Sequence, residues 1–469
     1  MIKKALIVVG VSATYFLQAQ DVSTIRNSVE VYGNGAQNGS SKYQAMAGSM
    51  GALGGDFSTM NTNPAGIGVN IASDFSATLT IESNKNVSTY AGKTVEYKGN
   101  QTDLGNVGGV IAFRLDDSSA WKFVNLGVNY GYQSIDNYAQ TAGNSNLVFE
   151  ISDADGNNID NLTYQAHAYN RYGYVSKMNV GVGANYDNRL YFGAALNFHS
   201  ANIEQWDTAS FISEKLNSAQ SFYKQNTPYS EASTGFSANI GAIAKVNQNF
   251  RLGASIETPT WWDIERLYEF YDDSIYGDGS ATEDRKLSTP FKATVSAAYV
   301  ANKNFALNVD YTLGLSKTKY KEFGAGDREL NEFFDDASKN LSELKIGAEY
   351  RYGGLRLRGG YATLANPFDN LAIDGISDNG GVSNQSYSDL ILGRRNTLAA
   401  GIGYDFKSFY IDAAYQNVTS EYSNPFLQGS SAYNAGYFSS MYIVESDAYA
   451  VSNVKNTRNN FFLTVGWKF

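Results

Sequence analysis

His167 and His199 are the two histidines of the 469-residue chain, and it has no cysteine. Thiolate chemistry and disulfide staples are thereby excluded. Neither histidine has a second ligand or a nucleophile motif beside it, so no haem or other metal ligation is expected. Asp153-x-Asp155-Gly156-Asn157-x-x-Asp160 has the oxygen-rich, glycine-turned look of a calcium loop. It lacks the closing bidentate glutamate of an EF-hand and reads as an acidic turn. Gly181-x-Gly183 and Gly401-x-Gly403 fall inside strand-like runs, not phosphate loops. The residues assign no catalytic group, cofactor or metal, and the chain is not expected to be an enzyme.

Two other groupings suit binding. Lys345, Arg351, Arg356 and Arg358 are cations close together in sequence. They either enter ion pairs and contacts with an internal segment or hold an anionic head group such as a carboxylate. Ile212, Leu216, Ala219 and Tyr223 recur at helical spacing. So do Trp261 (with Trp262 beside it), Ile264, Tyr268 and Tyr271, after a Thr258-Pro259 cap. Two amphipathic helices are expected there. They would either form an apolar landing groove for a hydrophobic ligand or bury each other as a cap.

The elements that must position these groups follow from alternation. Phe75, Ala77, Leu79 and Ile81 are interleaved with Ser76, Thr78, Thr80 and Glu82. Leu126, Val128 and Tyr130 are interleaved with Asn125, Asn129 and small residues in the same way, and the last ten residues alternate up to Phe469. A two-residue period places each set on one face of a strand. Many sets finish on tyrosine, which suits an interfacial girdle. Lys3 and Lys4 followed by an apolar run to Phe16 read as a signal peptide over 1–19. No later stretch holds eighteen apolar residues, the length of a membrane helix. A β-sandwich or propeller also alternates, but without the signal, the aromatic strand ends and the terminal phenylalanine together. A transmembrane antiparallel β-barrel of about 14 strands is therefore expected.

The strands are read near 75–82, 107–114, 124–133, 176–186, 189–199, 235–246, 249–257, 291–300, 303–312, 343–351, 354–362, 396–405, 408–416 and 460–469. Short turns alternate with long connections at 83–106, 134–175, 200–234, 258–290, 313–342, 363–395 and 417–459. This asymmetry places the short turns in the periplasm and the long loops outside. Opposite parity puts Glu82, Arg251, Glu257, Lys292, Asp310, Glu349 and Asp412 in the lumen with the four cations above. Leu307→Arg should then impair insertion while Asn308→Arg is mild. The bilayer and the barrel assembly machinery are the expected partners. The net charge of −10 argues against nucleic acid. Residues 20–74 do not alternate; they are either a periplasmic tail or, as preferred, a plug in a lumen that would otherwise stand open. The barrel proper is then 75–469.

Gly51-Ala52-Leu53-Gly54-Gly55-Asp56 followed by Asn63-Pro64-Ala65-Gly66, ahead of a fourteen-strand pattern, resembles the FadL/TodX family of outer-membrane transporters for hydrophobic compounds. The family's hatch contains an Asn-Pro-Ala motif, which maps onto Asn63, Pro64 and Ala65. The resemblance implies passive uptake of hydrophobic small molecules such as long-chain fatty acids, with the hatch as gate. The alternative is a barrel of this kind serving as a secretion or surface-attachment partner, with Tyr433, Tyr437, Phe438 and Tyr442 as an external protein-binding surface. A phospholipase-type barrel would need a serine–histidine pair on the lipid side. His199 falls on the other parity.

Overall fold

The computed structural model describes residues 22–34, 36–116, 118–153, 155–271, 278–429 and 436–469. The expected signal segment and Tyr433 lie outside these. Fourteen antiparallel strands close a barrel. They are β1 (Asp74–Tyr90), β2 (Lys93–Arg114), β3 (Trp121–Ala142), β4 (Asn158–Tyr186), β5 (Leu190–Ser213), β6 (Tyr229–Lys245) and β7 (Phe250–Glu257). They continue as β8 (Lys292–Val300), β9 (Phe305–Gly314), β10 (Ser342–Tyr352), β11 (Leu355–Leu364), β12 (Arg395–Asp405), β13 (Phe409–Phe426) and β14 (Ala450–Lys468). β14 closes on β1 from Asp74↔Lys468 to Thr89↔Asn453, so no edge is left at the seam.

The two faces divide as the alternation requires. Ser76 and Thr78 are fully buried, whereas Phe75, Leu79 and Ile81 are 42–45% exposed on the outside. Val295, Leu398 and Ile402 continue the apolar band on other strands. An apolar surface encircling the molecule is far beyond what a monomer exposes to water, and it meets lipid. At the short-turn end aromatic pairs ring the wall: Trp121–Tyr186, Phe250–Tyr299 and Tyr404–Phe406, with centroids 5.0, 4.9 and 4.6 Å apart. The chain is a transmembrane β-barrel.

At the other end the structure corrects several expectations. Much of the sequence read as loops is strand: β1 and β2 run on to a tight turn at Ala91-Gly92, both at positive φ. The two expected helices are absent. Ile212 lies in β5 and Leu216 in the turn after it, with Ala219 and Tyr223 in the strand Ser218–Lys224. Trp261 to Phe270 is a strand paired with Gly279–Ser288. A helix, α3 (Ala325–Ala337), forms instead within the long connection 313–342 and buries Leu330, Phe333 and Phe334.

Beyond the lipid band the barrel sheet continues into a small second sheet region, ordered Val148–Ser152, β4, β5, Ser218–Lys224, Tyr437–Phe438 and Ile443–Val444. Its core includes Tyr164, Phe211, Phe222, Phe426 and Tyr437. His167, read from sequence as a loop residue, is buried there, with Nε2 2.8 Å from Asp207 and its ring on Phe426. Asp153 folds its carboxylate onto its own turn, accepting from the N–H groups of Asp155 and Asn157 at 3.0 and 2.9 Å. The hydrogen bonds from Asn157 lower its pKa. Among the described residues no three acidic or histidine side chains converge on a metal position.

Candidate functional site in the barrel lumen

Residues 22–34 and 36–69 run inside the barrel. They comprise α1 (Val22–Asn27), a π-helical turn (Ser28–Gly33), α2 (Ser41–Ala45) and two 3-10 turns, Phe57–Asn61 and Pro64–Val69. Ser40, Asp56 and Asn63 cap the last three of these. Asn63 accepts from the Ala65 N–H at 3.1 Å while its amide donates to Gly51 O and to Ala242 O of β6. Pro64 occupies the first position of its turn, where its missing N–H costs nothing. The wall makes room for this turn. A Cβ on Gly193 would lie 2.3 Å from the Pro64 carbonyl carbon, and one on Gly241 2.1 Å from Asn63 Oδ1.

Irregular backbone inside a membrane span needs partners. Inward side chains supply them: Asp310 accepts from Gly51 N, Asn308 from Ala52 N, and Arg251 donates to Leu53 O at 3.0 Å. Asn125, Asn239 and Gln416 donate to Ile67 O, Met60 O and Gln44 O at 2.7, 2.8 and 2.8 Å. Asn308 is therefore fully buried against residues 49–52, and an arginine there would not be mild. Sequence reasoning did not single out a belt of amides in the wall. Asn106 donates to Asn129, Asn129 to Asn179, Asn179 to Asn197 and Asn197 to Ser237. Its signal was present, since all lie on the inward parity.

The four predicted cations do not form one cluster, although Arg351 and Arg358 share Glu349. Lys345 pairs with Glu343 at 3.0 Å, Arg351 with Glu349 at 2.5 Å, and Arg356 with Asp405 at 3.6 Å. Arg358 bridges Glu349 and Asp412 at 2.6 Å each. Carboxylates thus compensate them, Glu349 and Asp412 fully buried and Glu343 and Asp405 half-buried. The landing-groove residues are also dispersed. Trp261 points outward beside Phe236, and Ile212 and Leu216 are exposed on the second sheet. Trp262 and Ile264 point inward, and Tyr268 packs beside them. There Trp262 Nε1 donates to Tyr32 O at 3.3 Å.

An apolar chamber, open to solvent, lies elsewhere, under α3; together with the solvent at its mouth it spans about 890 Å³. Val29, Phe334, Leu341, Leu364, Phe368 and Leu392 form much of its wall. At its inner end Arg395 lines both this chamber and a polar lumenal space of about 1230 Å³. Among the described residues no hydrogen bond or ion pair is made by its guanidinium; Glu343 and Glu30 are neighbouring opposite charges. The alternation starts the strand at 396, whereas the observed strand begins at Arg395 itself.

The wall is split on one side. β2 and β3 pair only from Asn106↔Gly131 to Arg114↔Phe123. Above that point β2 stays on β1 and β3 on β4. Side chains span the divide: the Tyr97 and Tyr138 rings are 4.6 Å apart, and Tyr97 Oη donates to Asp136 at 3.3 Å. From the lumen, Asn38 Nδ2 donates to Tyr132 O at 2.5 Å, just above the point of divergence.

A fourteen-stranded lipid-facing barrel with a capped, non-strand segment in its lumen and an apolar recess beyond it defines a transmembrane barrel with an occupied lumen. It has the FadL/TodX-type fold. The Pseudomonas putida toluene transporter TodX is 13% identical, with TM-score 0.56, covering 92% of this chain and 99% of that one. A Pseudomonas aeruginosa FadL homologue is 12% identical with TM-score 0.57 over the same shares. The Ralstonia pickettii toluene transporter TbuX is 14% identical, TM-score 0.53, with the same coverage. No family model matches the chain, and no curated protein matches it in sequence.

Proposed function

We propose that the protein is an outer-membrane channel for passive uptake of hydrophobic small molecules, with residues 20–74 as its plug and the short turns in the periplasm. The observation that carries this reading is the apolar chamber beneath α3, closed at its inner end by Arg395. A mostly apolar cavity lined also by Arg395, whose guanidinium makes no hydrogen bond or ion pair among the described residues, suits an alkyl chain bearing a carboxylate, so long-chain fatty acids are the proposed cargo. The toluene transporters of the same fold support the apolar half of this reading. The plug obstructs the straight path through the lumen, and the β2–β3 split offers a way out into the bilayer.

The test compares palmitate with its methyl ester on purified protein. Arg395→Leu should weaken palmitate binding roughly tenfold, because a hydrogen bond to a charged group contributes about 1.5–3 kcal/mol. The ester should bind the variant and the parent alike. Equal losses for both ligands would remove the head-group role, and no binding of either to the parent would remove the chamber as a ligand site.

A further inference from the structure

Two polar spaces adjoin inside the barrel, and together they are short of negative charge. One is the lumenal space that Arg395 and Arg458 line. The other lies between the inner segment and side chains of β4, β7, β8 and β10. Asn34, Gln37, Glu343 and Lys345 line both, so the two spaces share a boundary. Among the described residues their lining holds six cations, Arg171, Lys177, Lys292, Lys345, Arg395 and Arg458. It holds three carboxylates, Glu30, Glu257 and Glu343. Each carboxylate is already engaged: Glu30 with Arg171, Glu257 with Lys177 at 3.5 Å, and Glu343 with Lys345 at 3.0 Å.

That leaves Lys292, Arg395 and Arg458. Lys292 lies opposite Glu257 in the β7–β8 register, yet its Nζ donates to Gly33 O at 3.2 Å. It enters no ion pair among the described residues. Arg458 Nε stands 3.9 Å from Glu82, at the limit of an ion pair. The Asn61 amide and His199 Nδ1, in the lining of the second space, also lack a protein partner among the described residues. This excess of cations is local, because the chain as a whole carries a net charge of −10. Walls of low dielectric concentrate the field of such charges and draw in mobile counter-ions. An uncompensated charge away from bulk water is costly, so the balance has to come from solution. Two guanidinium groups and an ammonium favour an oxyanion, whose oxygens match the guanidinium fork, over chloride. We propose that the joined spaces are a binding site for small hydrated oxyanions of the phosphate class. Lys292 and Arg458 do not line the apolar chamber, so the site stands apart from the fatty-acid reading.

The probe is radiolabelled inorganic phosphate, in equilibrium dialysis against the full chain in an uncharged detergent. Saturable binding is expected, with chloride a far weaker competitor than unlabelled phosphate. Lys292→Gln/Arg458→Gln should weaken phosphate binding roughly tenfold or more, since hydrogen bonds to charged groups are lost. Lys303→Gln/Lys407→Gln removes two exposed cations from the short turns and should bind phosphate like the parent. Palmitate binding should be the same in both double variants and the parent. A parent that binds phosphate but not palmitate would keep this site while removing the fatty-acid reading. Absence of saturable phosphate binding by the parent would overturn the proposal. So would equal losses in the two double variants, which would reduce the effect to net charge. Where Lys292→Gln/Arg458→Gln fails to fold, judged by heat-modifiable migration, amide exchange on the parent decides. Phosphate should then slow exchange in the peptide that holds Asn34 and Gln37; protection confined to other parts of the chain would refute the site.

Discussion

Leu398 and Thr397 are neighbours in β12 that meet two different solvents. Leu398 is 63% exposed on the lipid face, while Thr397 lines the polar lumenal space. Arginine at position 398 would carry a charge into hydrocarbon at a cost of about 2–4 kcal/mol near the midplane, and at 397 it would enter a polar cavity. Leu398→Arg should therefore lose most of its folded, heat-modifiable band in membrane fractions, and Thr397→Arg should keep it; equal losses would refute the register. This parity was legible in sequence because lipid selects every second residue. What parity does not reveal is which inward positions face space and which face the plug. Asn308 looked like Thr397 from the sequence, yet it sits against Gly51 and Ala52 because a segment some 250 residues away folds back onto it. Arg395 was missed for the complementary reason: its value lies in a partner it lacks, which no local pattern records.

At the scale of elements, the barrel strands were readable and the external ones were not. In Trp261–Phe270 the apolar residues satisfy helical spacing through Trp261, Ile264 and Tyr268. The observed strand instead uses Trp262 and Ile264 inward and Trp261 outward. Ten residues with apolar groups on both faces fit either period, and tertiary pairing with β6 decides between them. α3 was hidden by its charge, although Leu330, Phe333 and Phe334 carried the i, i+3, i+4 signal. The Asn63-Pro64 turn was legible because capping is local chemistry. Its seat against Gly193 was not. Gly193→Val would drive side-chain carbon into the Pro64 backbone, which cannot yield as a flexible side chain would. The variant should insert normally but conduct more ions in planar bilayers than the parent, because the plug is displaced from β5. Asn63→Ala, losing a cap of about 0.5–2 kcal/mol and a bond to β6, should move conductance in the same direction by less. If Gly193→Val conducts like the parent while remaining folded, the turn does not seat the plug.

Across the whole molecule, the proposed route takes an apolar solute from the recess under α3, past the segment inside the barrel, to the split wall. On this proposal the solute would leave water at α3, be turned aside by the polar, backbone-rich segment in the lumen, and reach hydrocarbon where β2 and β3 part. Asn38 ties the plug to β3 just above that divergence, so a shift of the plug would release the wall there. Tyr97 and Tyr138 bridge the divide, and the native chain has no cysteine to interfere with thiol chemistry. A Tyr97→Cys/Tyr138→Cys variant joined by a short, reducible thiol crosslinker would hold the two strands together while leaving the chamber untouched. Palmitate uptake by cells should fall at least tenfold on crosslinking and return on reduction, with palmitate binding to the purified protein unchanged throughout. Each single-cysteine variant, treated in the same way, should transport like its untreated form. Uptake that persists in the crosslinked double variant would mean that the solute leaves past the plug and not through the wall; conductance through Gly193→Val would then be the measure of its path.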